Sequence, residues 1–278
     1  MDRRLLASNG HAADVALKGR VDAEVFVTPE PHRLLETAWL RKEPDGPADR
    51  ECLYGDAFDV IEWRDEYAFG RAAKDGYVGW LSARVLGALR PATHWVSVRS
   101  TWAYGAPDMK SPPQRLLHMT SRVAVLEITD GWARIDDDFH VPASHLKETG
   151  STLDQVGAAR AFLGTPYVWA GNSGCGIDCS GLVQVSAHAA GLYCAADSDL
   201  QEAMAGEALA EDAVLIAGDL VFWRGHVALA TGEGSLIHAN AHHMAVVEEP
   251  VAEAVDRIAA SETGPVTSRL RPAWSSLV

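Results

Sequence analysis

The sequence predicts an α+β protein, with two small all-β barrels followed by a domain in which helices precede an antiparallel sheet. Residues 21–146 carry six of the nine tryptophans, set in short apolar runs. Asp45-Gly46, Asp75-Gly76 and Asp130-Gly131 break those runs, which is the punctuation of strands and tight turns. The stretch also repeats itself. A shift of 65 places superimposes Val60, Ile61, Glu62, Tyr67 and Ala68 on Val125, Leu126, Glu127, Trp132 and Ala133. Beyond a junction at residues 147–151 the pattern turns Ala-rich with helical spacing.

Each copy of the repeat reads as a strand, a tight turn and an aromatic-led strand. A short segment follows, Tyr77-Val78-Gly79-Trp80-Leu81 in the first and His140-Val141-Pro142-Ala143 in the second. Two antiparallel barrels of about 60 residues each are the natural outcome of such a repeat. The expected divisions are 1–90 for an N-terminal segment with the first barrel, 91–148 for the second barrel and 151–278 for the last domain. Within that domain helices are expected over 154–163, over 180–190, where Gly191 stops the helix, and over 198–209. Strands are expected over 219–223, 227–231, 236–239 and 245–248.

Composition narrows the function. The 278 residues are 47% hydrophobic and carry a formal charge of −14. So acidic a chain, without a local basic patch, is repelled by nucleic acid and by anionic membrane surfaces, and neither is expected as a partner. No run approaches the roughly 20 apolar residues of a membrane span, and the first eight residues lack the apolar core of a signal peptide. A cytoplasmic location is the expectation, although a chain deprived of its leader would read the same way. Cys52, Cys175, Cys179 and Cys194 are too few for a disulfide scaffold and form no CxxC pair of the structural zinc type.

The chemistry concentrates in Gly164-Thr165-Pro166-Tyr167-Val168-Trp169-Ala170-Gly171, residues 172–177, and Asp178-Cys179-Ser180-Gly181-Leu182-Val183. A glycine-rich loop here runs straight into a helix, so Cys179 falls at the helix N-terminus. Unpaired amides and the positive end of the dipole favour a thiolate there, and the thiolate is the nucleophilic form. A base is also needed. His226 and His238 lie on neighbouring predicted strands, and a hairpin would bring both imidazoles together. Alone, a buried cysteine is as well read as a small hydrophobe, and a strand histidine as a structural residue. Cys175, four residues before Cys179, is open to reversible pairing with it or is a loop thiol without a role. His242 and His243 have no carboxylate or thiolate partners at ligand spacing and read as surface residues, and Asp219 reads as a turn residue before a strand.

Pro166-Tyr167-Val168-Trp169, Asp178-Cys179-Ser180-Gly181, Gly218-Asp219-Leu220, Gly225-His226-Val227 and His238-Ala239, in this order and spacing, resemble the NlpC family of papain-like cell-wall cysteine peptidases. Ala170 departs from the pattern, standing where the family usually has glycine. The paired barrels resemble the SH3-like accessory domains of members that cleave after D-glutamate. The resemblance implies a papain-like fold, Cys179 as nucleophile, His226 as general base and His238 as its orienting partner. It makes Tyr167 the hydrogen-bond donor on the oxyanion side, and no cofactor is required. The implied substrate is a murein peptide cut at the γ-D-glutamyl–diamino acid bond, with meso-diaminopimelate or lysine as the diamino acid. In members that act in cell-wall recycling the substrate has a free N-terminal L-alanine, and Asp56, Tyr77, Asp178, Ser180 and Ser198 match the residues that hold its amine. Tyr77 is equally a barrel aromatic, Asp56 a turn residue and Ser198 a helix cap. A wall-binding module with an inactive peptidase domain, and an amidase or transpeptidase on the same fold, are the alternatives.

Overall fold

The computed structural model describes residues 1–261 and 263–277. The chain forms two compact units, Met1–Thr149 and Gly150–Val278.

The first unit is built from strands joined by turns and short 3-10 segments. Its largest sheet has seven strands in the order Ala48–Cys52, Ala38–Arg41, Val78–Ser82, Tyr67–Ala72, Ala57–Arg64, Glu30–Leu34 and Leu86–Ala88. A five-stranded sheet holds the second copy of the repeat, with the hairpin Val125–Thr129 and Trp132–Ile135 at one edge. The duplication extends to backbone detail. Arg64 pairs with Tyr67 across Asp65-Glu66, and Thr129 pairs with Trp132 across Asp130-Gly131. Both hairpins also slip register at one place, between Val60 and Glu62 and between Val125 and Glu127. The unpaired residues, Ile61 and Leu126, are 65 apart like the rest of the repeat. Asp130 and Gly131 have φ of 50° and 80°, the two positive values of a type I′ turn, whose twist matches that of its strands.

The two barrels are tied into one body. Tyr54, on the hairpin side of the first, is buried in the core of the second with Val96, Leu117, Val123, Ile135 and Val141. Arg33 of the first barrel meets Asp136 of the second at 2.8 Å, with both side chains buried. The N-terminal segment adds Ala7 and Ala12 to the first barrel's core, against Ile61, Phe69, Val78 and Trp80.

The second unit is α+β. Its helices are α1 (Gln155–Arg160), α2 (Cys179–Ala189), α3 (Ser198–Glu202) and α4 (Val251–Ala259). Asp154 caps α1 through Gly157 N–H at 2.6 Å, and α2 ends at Gly191, whose φ of 73° no continuing helix has. Six antiparallel strands run in the order Gly206–Ala208, Ser268–Pro272, Leu220–Trp223, His226–Gly232, Ser235–Asn240 and Ala245–Pro250. On one face, α2 lies against His226–Gly232 and Ser235–Asn240 and buries Leu182, Val183 and Val185 completely. Each such side chain contributes about 1.5–3 kcal/mol relative to exposure. On the other face, Val251, Ala254, Val255 and Ile258 of α4 cover Val221, Trp223, Ala228 and Leu236. Their spacing is that of an amphipathic helix.

Two expectations change here. The helix expected over 198–209 stops at Glu202, and Gly206–Ala208 becomes an edge strand instead. Its partner is Ser268–Pro272, in the register Gly206↔Pro272 to Ala208↔Leu270, so a ladder closed by the far end of the chain overrides local helical spacing. Asp219 is more than a turn residue. It is buried, accepts a hydrogen bond from Ile216 N–H at 2.9 Å and binds the Arg271 guanidinium through both oxygens at 2.9 Å. No helix among the described residues is long and apolar enough to cross a membrane.

Candidate active site

The loop before α2 is stitched down on both sides. Tyr167 N–H donates to Met244 O at 2.9 Å, Ile177 N–H to Pro166 O at 3.0 Å, and Asp178 N–H to Gly171 O at 3.1 Å. Asn172–Ser173 and Gly176–Ile177 form a two-stranded hairpin that carries exposed Cys175 at its tip. Asp178 then caps α2, accepting from Gly181 N–H at 2.6 Å and from the Ser180 hydroxyl at 2.9 Å. The helix sits hard on the loop. A Cβ at Gly181 would lie 2.5 Å from Gly171 O, so only glycine permits this approach.

Ala170 occupies this loop in the left-handed region, with φ of 63°, and is buried. That backbone costs a residue with a Cβ about 1–2 kcal/mol, part of which the greater freedom of glycine in the unfolded chain takes back. Ala170→Gly is therefore expected to stabilise the protein by about 1 kcal/mol, read as a higher urea midpoint. An unchanged or lower midpoint would show that the loop stores no such strain.

Cys179 is the first residue of α2 and is 7% exposed. Burial pushes its thiol up to about 12, with Asp178 adding to the rise, while the amides of Val227, Ser180 and Cys179 itself oppose it. Val227 follows His226 in the chain, so the start of strand His226–Gly232 stands over the sulfur. His226 leaves the tight Arg224-Gly225 turn opposite Trp223, whose ring centroid is 5.5 Å away. Burial, then the cationic side of His238 and Arg257, pushes its imidazole down to about 3, against Glu249. A thiolate at Cys179 is the sequence's expectation, and burial works against it. Helix-end effects are worth up to about 2 kcal/mol, less than the cost of burying two opposite charges. Both shifts favour the uncharged thiol and imidazole.

The pairing Leu229↔Ile237 puts His226 and His238 on one face of the sheet. His226 Nε2 lies 2.8 Å from His238 Nδ1. His238 is fully buried, which lowers its pKa despite Glu249. Its Nε2 is 2.7 Å from Glu249 Oε1 and 2.9 Å from Asn240 Nδ2. Arg257 of α4 grips both oxygens of Glu249, with Nη2 to Oε1 at 2.6 Å. Burial would raise the Glu249 carboxyl, but hydrogen bonds from His238 and Arg257 outweigh it and hold the group at about 2. Sequence reading missed Glu249, Arg257 and Asn240. The apolar spacing of residues 251, 254, 255 and 258 was the available signal for α4 and, through it, for Arg257.

Tyr167 is half-buried, and burial, then Cys179 and Asp178, push its phenol upward, so it stays a proton donor. Ser198 begins α3 and is half-buried, with Asp197 at the cap position. Gln201 of that helix donates to Ser180 O at 3.0 Å, which ties α3 to the first turn of α2. Asp56 and Tyr77 belong to the first unit and are both buried there. The Asp56 carboxylate is 2.6 Å from Lys74 Nζ and accepts from Leu53 N–H, while Tyr77 lies beneath Arg50. His242 and His243 are exposed, none of the four cysteines is in a disulfide, and no cluster of metal-ligating side chains occurs among the described residues.

A thiol at a helix start, facing the amide of the residue after one of two hydrogen-bonded imidazoles, is a set suited to acyl transfer. Residues 164–258, which contain all of it, match the NlpC/P60 family. Over these 95 of the 278 residues the chain is similar to that family. Residues 40–86, within the first barrel, match the bacterial dipeptidyl-peptidase SH3 domain. A γ-D-glutamyl-L-lysine dipeptidyl-peptidase of Bacillus cereus is 34% identical over 116 residues, covering 39% of this chain and 34% of the relative. One of the same name from Bacillus subtilis is 38% identical over 107 residues, covering 36% and 35%. The match thus spans about a third of these relatives' length. In fold, the chain is similar to an NlpC/P60 family protein from Bacillus cereus, with a TM-score of 0.71 at 18% identity over 87% of this chain and 99% of that one. An NlpC/P60 endopeptidase from Photobacterium damselae subsp. piscicida gives a TM-score of 0.61 at 12% identity, over 86% and 70%. The two family matches thus fall one in each unit.

Proposed function

We propose that the protein is a cysteine endopeptidase that hydrolyses the γ-D-glutamyl–diamino acid bond of short murein peptides. The observation that carries this reading is the hydrogen-bonded His226–His238 pair at the strand whose next residue, Val227, aims its amide at Cys179. The names of the Bacillus relatives supply the bond class.

In this reading His226 takes the Cys179 proton as the sulfur attacks the γ-carbonyl carbon of D-glutamate. Starting from neutral groups, the proton moves with the attack, and the imidazolium that forms is held by His238. The oxyanion faces the amides at the start of α2 and the Tyr167 hydroxyl. Each such donor is worth about 10²–10³ in rate when aimed at the transition state. His226 then protonates the departing amine, leaving an L-Ala-γ-D-glutamyl thioester on Cys179. Water deprotonated by His226 cleaves the thioester and restores the thiol. Asp178, Ser180 and Ser198 form the polar side of the second unit suited to a free L-alanine ammonium, which needs anionic or hydroxyl partners when it leaves water.

Mass analysis of the products from L-Ala-γ-D-Glu-meso-diaminopimelate and L-Ala-γ-D-Glu-L-Lys tests the reading. Release of L-Ala-D-Glu and free diamino acid is expected, from the unblocked peptide in preference to its N-acetyl form. Ammonia release alone, exchange onto an added amine, or binding to sacculi without any cleavage would replace it with amidase, transpeptidase or wall-binding function.

A further inference from the structure

The triad side chains do not end at His238, and the two residues beyond it have a chemical consequence. Glu249, ionised and bound through both oxygens by Arg257, can only accept hydrogen bonds. His238 Nε2, 2.7 Å away, must then carry its proton. The Asn240 amide nitrogen approaches the same atom at 2.9 Å and would favour the opposite tautomer. A charge-assisted bond is about twice as strong as a neutral one, so the carboxylate decides. With Nε2 protonated, His238 Nδ1 is a lone pair, and it accepts from His226 Nε2–H at 2.8 Å. That leaves His226 Nδ1 unprotonated, as the nitrogen free to take the thiol proton.

We propose that Glu249, clamped by Arg257 of α4, is a positioning residue that sets the tautomers of His238 and His226 in series and so makes His226 a base for Cys179. Glu249 does not touch the reacting atoms. It acts through two imidazoles, and its negative charge also steadies the imidazolium that forms on His226. This assignment rests on the peptidase reading for its biological meaning, but not for its chemistry. The charged and titratable groups that act on the two imidazoles, besides each other, are Glu249 of strand Ala245–Pro250, Arg257 of α4, and His243 beyond Asn240, while Asp178 at the α2 cap acts on Cys179. Glu249 is the anion that contacts His238, and Arg257 fixes it in place.

The device explains why α4 follows its strand directly. Glu249 and Arg257 are eight residues apart, one at the end of the strand and one in the last turn of the helix, so the strand-to-helix turn at Pro250 delivers both to His238. A buried histidine whose Nε2 faced only the Asn240 amide would be locked in the other tautomer, with its Nδ1–H pointed at His226. The proton on His226 would then sit on Nδ1, and no lone pair would face the thiol.

The test measures iodoacetamide alkylation of Cys179 against pH by mass spectrometry, in a Cys175→Ser background so that the exposed neighbour does not report. It needs no substrate. Glu249→Leu is expected to slow alkylation at pH 7 about tenfold, because moving the thiol proton onto His226 forms an imidazolium that has lost its nearby anion. Glu249→Gln keeps an acceptor for His238 Nε2–H and should recover part of the rate while staying below the wild type. If Glu249→Leu does not fold, the Gln variant carries the test through its rate. A folded variant with the wild-type rate would overturn the assignment, and so would a lower melting temperature with an unchanged rate per folded molecule. Peptide cleavage is measured in parallel. Slowed alkylation in a protein that cuts no murein peptide would leave the tautomer relay standing and remove the peptidase reading.

Discussion

Replacing Cys179 by Ala and His226 by Ala is expected to lower kcat/KM for the tripeptide by a similar large factor each, about 10⁴–10⁶, with the double variant no worse than either. The reason is that neither group works without the other. In the folded site the thiol is held up at about 12 and the imidazole down at about 3, so the sulfur becomes a nucleophile only as His226 takes its proton. Likewise His226 has no proton to move once the sulfur is gone. Independent contributions would multiply, and a double variant far below both singles would show that the two residues do not act as a unit. Tyr167→Phe separates from this group. It removes one donor and is expected to cost at most about 10³ in kcat with the binding step largely kept.

Asp136→Ala is expected to destabilise the first unit by about 3–5 kcal/mol, among the largest stability effects open to a single change in that unit. Asp136 and Arg33 are both buried, 2.8 Å apart, and join the two barrels. Asp136 also accepts from Ala124 N–H at 3.1 Å, and the Arg33 guanidinium stands 5.7 Å above the Tyr54 ring. Truncating the carboxylate leaves a buried cation without the anion that faces it, the Tyr54 hydroxyl at 3.3 Å from Arg33 Nη1 being a neutral acceptor. Replacing the pair together, Arg33→Met with Asp136→Leu, removes both charges and is expected to recover most of the loss. Urea unfolding followed by tryptophan fluorescence reads the first unit, which holds Trp39, Trp63, Trp80, Trp95, Trp102 and Trp132. A single-variant cost below about 1 kcal/mol would mean that the pair is solvated or dispensable.

What the sequence made legible is local. The repeat announces itself because hairpins are made of neighbours, and even its bulges at Ile61 and Leu126 keep the spacing of 65. Cys179 stands out because a capping aspartate, a glycine loop and a helix start all lie within a few residues. His226 and His238 are found together because strand alternation and a short connection fix which face they share. What escaped detection is non-local. Gly206–Ala208 becomes a strand only when Ser268–Pro272 arrives beside it, and nothing near residue 206 signals that partner. Glu249 and Arg257 carry no local signal, since their meaning depends on a histidine from another strand. Arg33 and Asp136 lie 103 positions apart and join two barrels, which no local pattern reveals. The protonation state escaped for a different reason. A helix N-terminus is visible in sequence and burial is not, and burial opposes the thiolate that the helix start favours.

The central claim is that Cys179 carries the acyl group. Its most direct measurement is the release of L-Ala-D-Glu from L-Ala-γ-D-Glu-meso-diaminopimelate or its lysine counterpart by wild type and by Cys179→Ala, each confirmed as folded by circular dichroism. The account predicts steady release by the wild type and none above background by the variant. Equal release by both would contradict it.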